Sequence, residues 1–215
     1  MTAPNPDWAD LAEQRVLDEA LTRAADLGWG ARLVEAAAKA AGLSPGEAQL
    51  LLPAGARDLA ALLSRRHDAA ALASLAATDP SSLKVRQRIS AGVGARIEAA
   101  MADAPAVTRW AGYLALPPNA PLALRLTWES ADHLWRWAGD TATDENHYSK
   151  RAILSGILIS TLAIRLASGA EAADAHLAAR IDNVMAFEKW KAGRKPIVAF
   201  ADVAAALVRM RYGDR

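Results

Sequence analysis

Cysteine is absent from this 215-residue chain, which removes disulfides, thiolate metal sites and thiol nucleophiles from consideration and suits a reducing compartment. Strand signals are almost missing too, since β-branched clusters are few and no run alternates apolar with polar residues. Charge of one sign is not in excess: 25 Lys and Arg stand against 24 Asp and Glu, a net of +1. No global field therefore points to nucleic acid or acidic substrates. The longest uncharged apolar run, Ala152 to Ile164, stops short of the roughly 20 residues needed to cross a bilayer. The opening stretch MTAPNPDWADLAEQ has no basic residue before Arg15 and no apolar run. Neither a secretory signal nor an Arg-rich transit peptide is expected there.

Catalytic patterns are absent as well. A di-iron bundle needs paired Glu-x-x-His motifs, and none of His67, His133, His147 and His176 has Glu three residues before it. No nucleophile elbow, Walker, Rossmann or HExxH pattern occurs. Asp140, Asp144 and His147 can be drawn as an acid–base set, but capping and turn-making explain the aspartates with less assumption. The expectation is a chain without catalytic residues, metal or cofactor, and not an enzyme.

What is present is helix. Ala and Leu recur at helical spacing almost everywhere, which predicts an all-α chain of about ten helices. Leu11, Val16, Leu17, Ala20, Leu21 and Ala24 form one stripe closed by Gly28. Short helices over about 31–41 and from Pro45, with Ser44 as N-cap, precede a long helix from about Gly55 to Ala77. Long, short, short, long is the order of a TetR-type helix-turn-helix region, assigned to residues 1–80. DNA is not the expected partner. The third helix offers PGEAQLLL to base edges, and residues 1–80 hold seven Lys or Arg against eleven Asp or Glu. A net acidic surface forfeits the phosphate term of DNA affinity.

Residues 81–193 read as a helical bundle. Gly92 and Gly94 interrupt its first helix and allow either a kink, a close helix approach or a tolerated surface irregularity. Trp110 and Tyr113 lie on the next helix. Leu124, Trp128, Ala131 and Trp135 then share one face at i, i+4, i+7 and i+11. A core stripe and the wall of a lipid cavity want the same residues here. The uncharged run 152–164 is apolar on all sides and is expected to be the central buried helix of the bundle.

Between these helices lies a polar corner, LWRWAGDTATDENHYSKR, from Leu134 to Arg151. Gly139 can end the first helix, and Thr143 or Asp144 can cap the second. Trp137, Gly139, Asp140, Asp144, Asn146, Tyr148, Lys150 and Arg151 carry the string W-x-G-D-x-x-x-D-x-N-x-Y-x-K-R. This string resembles the signature of the Coq-nine family, accessory lipid-binding proteins of ubiquinone biosynthesis with a TetR-like fold. The likeness extends more loosely from about Val16 to Tyr212. It implies a lipid cavity, here expected from Trp110, Tyr113, Leu124, Trp128, Trp135, Ile157 and Leu158. It also implies that the corner meets a di-iron quinone hydroxylase, through Asp144, His147, Tyr148, Lys150 and Arg151. At position 147 the family often carries an aromatic residue, commonly Trp, where this chain has His.

The last segment, 194–215, is amphipathic. Ile197, Phe200, Val203, Leu207 and Met210 lie on a wide apolar arc, and from Lys189 onward seven Lys or Arg face two Asp. Such a helix can dock on its own bundle or lie on an anionic membrane; the resemblance implies the membrane. The expected protein binds an isoprenoid quinone or other lipid, works in the cytoplasm at the inner face of a membrane, and presents its ligand to the hydroxylase. Oligomeric state is not written in any pattern, and a homodimer is compatible with all of this. The alternative is a TetR-type repressor that uses the same cavity to control DNA binding.

Overall fold

A computed structural model describes residues 8–141 and 145–193, with side chains for all of these except 145, 146 and 187–193. Asp144 and the terminal set Ile197, Phe200, Val203, Leu207 and Met210 lie outside the described residues. Among the described residues the chain is all α, with no strand. The helices are α1 (Trp8–Leu27), α2 (Ala31–Ala40), α3 (Pro45–Leu51), α4 (Ala56–Leu75), α5 (Val85–Met101), α6 (Ala104–Leu114), α7 (Ala120–Trp137) and α8 (Glu145–Gly193). Two 3-10 turns, Pro80–Ser82 and Pro117–Asn119, join α4 to α5 and α6 to α7.

The helix ends follow the local chemistry. Gly28 and Gly42 take left-handed φ values of 70° and 77° just past α1 and α2, where an L side chain would be strained. Ser44 and Glu47 form a reciprocal capping box on α3: the Glu47 amide donates to Ser44 Oγ at 3.3 Å and the Ser44 amide to Glu47 Oε2 at 2.8 Å. At Gly169 (φ 87°) α8 is broken into two limbs. The chain turns back there, since His176 Nε2 lies 3.0 Å from Ser160 Oγ.

Two compact units divide the chain, Met1–Leu177 and Ala178–Arg215. In the first, α1 through α7 share a single apolar core that includes Val16, Leu33, Leu59, Leu63, Val107 and Leu126. Residue 80 is thus a turn within one unit. The four N-terminal helices keep the expected long, short, short, long order, and α3 buries none of its residues.

The central helix of this unit is α4, with ten buried positions from Leu59 to Leu75. That corrects the expectation for residues 152–164. Leu154, Ile157 and Leu158 are buried there, but Ile153 and Ile159 are exposed. Having apolar residues on every side of a helix does not supply neighbours on every side. Gly92 and Gly94 make no kink: a Cβ on Gly92 would sit 3.4 Å from Leu134 Cδ2 on α7, and one on Gly94 would meet nothing. Only Gly92 serves helix approach.

Candidate functional site

The corner between α7 and α8 is built by its own motif. Past Trp137 the chain closes with Gly139 at φ 84°. The Asp140 amide donates to Trp135 O at 2.9 Å and the Gly139 amide to Arg136 O at 3.0 Å, the paired bonds of a Schellman ending. Arg88 of α5 donates from Nη1 to the Ala138 carbonyl at 2.7 Å, satisfying another orphan acceptor at this helix end. The turn aims the Asp140 carboxylate at the first turns of α8. Arg151 Nη1 lies 3.0 Å from Asp140 Oδ2, Arg151 Nε lies 2.7 Å from Asp132 Oδ1, and Lys150 Nζ lies 2.5 Å from Asp140 Oδ1. Arg136 closes the far side of Asp132 at 2.6 Å.

Burial pushes both carboxyls up, but the hydrogen bonds and charges of their cationic partners outweigh it. Arg151 and Arg136 hold Asp132, and Lys150 and Arg151 hold Asp140, below the ordinary carboxylate range. Both carboxyls are therefore charged at neutral pH. The expected outward charges need correcting at one position. Arg151 is 2% exposed and engaged on three sides, the His147 carbonyl included. It staples α8 to α7 and offers nothing to a partner. Lys150 is part-exposed and rests over the Trp135 ring at 5.3 Å, while Trp135 Nε1 donates to the Lys150 carbonyl at 3.1 Å.

What faces out is aromatic. Tyr148 is 64% exposed, with its ring centroid 6.2 Å from Trp128 and 5.1 Å from His147, the latter edge-on. The structure therefore brings His147, Tyr148 and Lys150 together on the outside of the staple. It adds Trp128, which the family resemblance assigned to a cavity.

The cavity itself lies on the other side of α7. It encloses about 520 Å³ among α4, α5, α6, α7 and the first limb of α8, with a lining that is mostly apolar. That volume falls within the roughly 300–1,000 Å³ of small-molecule sites. Trp110 and Leu158 line it as expected. Leu124 is 63% exposed on the outside of α7, Tyr113 packs at the edge of the core, and Ile157 is buried in the bundle. Trp128 and Trp135 belong to the corner.

One end of the cavity carries a polar group that sequence reading missed. Arg96 of α5 is 6% exposed, and its Nε donates to Asp68 Oδ1 of α4 at 2.6 Å. Ser130 Oγ of α7 donates to the same oxygen at 2.7 Å. Ser64, Arg96 and Ser130 all reach the lining. The signal was available: Ile89, Val93, Arg96 and Ala100 fall at i, i+4, i+7 and i+11, so a guanidinium stands in an apolar register. Beside this group His67 is buried, with Nε2 2.9 Å from Asp103 Oδ2. Burial and the positive charge of Arg96 hold its pKa down to about 4 against the pull of Asp103, so the ring is neutral.

Residues 120–188, from α7 well into α8, match the family model described as COQ9. Curated relatives agree. The ubiquinone biosynthesis protein COQ9-B, mitochondrial, of Xenopus laevis is 29% identical over 168 residues, covering 72% of this chain and 55% of the relative. The COQ9 protein of Xenopus tropicalis is 29% identical over 167 residues, covering 72% and 50%. The human COQ9 protein is 44% identical over 48 residues, covering 22% and 15%. The chain thus spans about half the length of the curated Xenopus relatives it matches. The matched segment contains both walls of the corner and two walls of the cavity, and it carries the resemblance to the Coq-nine family.

Proposed function

We propose that this chain is a non-catalytic, lipid-binding accessory protein of ubiquinone biosynthesis. It holds an isoprenoid quinone or a precursor in the cavity and presents it to a membrane-associated quinone hydroxylase. The observation that carries this reading is the apolar cavity, two of whose walls, α7 and the first limb of α8, fall within the segment that matches the COQ9 model. The names of the relatives place those proteins in ubiquinone biosynthesis. Exposed Tyr148, grouped with half-buried Trp128, His147 and Lys150, supports a partner surface, because rigid aromatics with polar tips are frequent interface anchors. Native mass spectrometry of the purified protein, with extraction and identification of any bound lipid, tests the reading. A co-purifying prenylated quinone or phenol is the expected result. Protein that stays empty after incubation with such lipids in detergent overturns it.

The repressor reading draws on the helix order of α1 to α4. Against it, α3 turns Leu50 outward at 75% exposure and uses Glu47 in its own cap. Neither residue suits a base edge or a phosphate. Submicromolar duplex binding with a steep salt dependence, measured by fluorescence anisotropy, would reverse the order of the two readings.

A further inference from the structure

The polar end of the cavity restricts what kind of head group can sit there. Most of the polar side chains near it have already committed their donors. Ser130 Oγ donates to Asp68, Thr127 Oγ1 to the Ala123 carbonyl at 2.7 Å, and Trp110 Nε1 to the Ala60 carbonyl at 3.1 Å. Arg96 differs. A guanidinium carries five N–H groups. Its Nε is held firmly by Asp68, and Nη2 reaches Ser64 Oγ and Ser64 O only at 3.4 and 3.5 Å, the long limit of a hydrogen bond. Among the described residues no hydrogen bond uses Nη1. A buried guanidinium with donors to spare, at the end of an apolar cavity, calls for an acceptor.

Charge decides which acceptor. Arg96 and Asp68 are both buried and 2.6 Å apart, so together they are close to neutral. A carboxylate or phosphate brought to Arg96 would leave a net negative charge in an apolar surround, beside the Asp68 carboxylate that already occupies the cation. Desolvating that extra charge is costly. A carbonyl or ether oxygen accepts the same N–H and adds no charge.

We infer that the Arg96 guanidinium, pinned by Asp68, is the head-group donor of this cavity and selects a neutral apolar ligand with a carbonyl, quinone or ether oxygen. The tail of that ligand lies along Trp110, Leu126, Leu158 and Leu162. This rests on the reading of the cavity as a lipid site and narrows it: fatty acids and other anionic amphiphiles are disfavoured although their tails fit.

The test is displacement of Nile red, a neutral dye, from the full-length protein by three probes of similar tail length: decylbenzoquinone, dodecanoate and dodecane. In the wild type, decylbenzoquinone should displace the dye at a concentration about tenfold lower than either of the others, the size of one charge-assisted hydrogen bond. The double variant Arg96→Met/Asp68→Leu removes the pair without stranding a charge. It should bring decylbenzoquinone and dodecane to the same concentration while leaving dodecane unchanged. The wild-type ratio needs no variant, so it decides the matter even if the double variant does not fold. Equal displacement by all three probes, a preference for dodecanoate, or a quinone advantage kept in the double variant overturns the inference while the cavity reading stands. Should no probe displace the dye, and Ala163→Trp at the cavity lining leave dye binding untouched, the cavity reading itself fails and the head-group assignment fails with it.

Discussion

Asp140 and Arg151, eleven residues apart across the α7–α8 corner, meet at 3.0 Å with side chains that are 6% and 2% exposed. A carboxylate and a guanidinium in that setting are worth little when compared with apolar packing, but removing one of them strands the other. Asp140→Ala still leaves Arg151 the Asp132 carboxylate, so it should cost about 1–3 kcal/mol, the range of a hydrogen bond to a charged group, and lower the melting temperature by several degrees. Arg151→Met should behave similarly, because Asp132 retains Arg136 and Asp140 retains Lys150. Calorimetric or circular-dichroism melting checks both. Unchanged melting in both variants would mean that the corner is not a staple.

Tyr148 is the contrasting case, exposed and resting on Trp128. If the aromatic group is a docking surface, Tyr148→Ala should weaken hydroxylase binding by about 1–4 kcal/mol with melting nearly unaltered. His147→Trp should be tolerated, since it enlarges the aromatic surface in place. Calorimetric titration against the hydroxylase, beside a melting curve for each variant, separates interface from scaffold. Affinity that falls only in step with stability would remove Tyr148 from the interface.

How legible was all this beforehand? The helix ends were read from residues with a single conformational use: Gly28, Gly139, and Ser44 just before Pro45. The family corner was legible because its spacing is specific. The roles of its residues were not, because Arg151 and Tyr148 are three residues apart and point to opposite environments. The stripe of Leu124, Trp128 and Trp135 shows why: periodicity says which side chains share a face, and not which neighbour that face meets. Trp128 found Tyr148, and the cavity formed on other faces of α7. The buried Arg96–Asp68 pair needed two helices to be placed side by side, which no single helical pattern contains.

The polar group around α4 predicts an acid response. His67 is neutral when folded, with a pKa near 4 caused first by burial and then by Arg96, against the opposing pull of Asp103 and Asp68. In the unfolded chain it titrates near 6.5, so between those values the unfolded state binds the extra proton. Stability should fall as pH drops from about 6.5 to 4, by at most about 3 kcal/mol from this group. The lowered carboxyls of Asp132 and Asp140 contribute stability above their unfolded pKa and lose it as pH falls further, through their folded values. Urea midpoints taken from pH 7 to 3 should show both arms. His67→Gln should flatten only the upper one, and an unaltered upper slope in that variant would assign the response elsewhere.

The terminal segment carries the membrane expectation. Replacing Phe200 and Leu207 by Glu should abolish cosedimentation with anionic liposomes while leaving helical circular dichroism largely intact. Deleting Pro196 to Arg215 should do the same. Loss of helical signal on deletion would show instead that the segment completes the bundle.

The first limb of α8 has a further property, set by the spacing of its charges. By length and composition, residues 147–186 could cross a bilayer. Arg151 and Arg165 stand fourteen positions apart in the first limb, about 21 Å along a helix. The hydrocarbon layer is about 30 Å thick. Any crossing by this limb would carry one guanidinium into hydrocarbon, parted from its carboxylates: Asp132 and Asp140 for Arg151, Glu98 for Arg165. The folded bundle keeps both pairs and turns the apolar length between them, Leu158 and Leu162 included, toward the cavity.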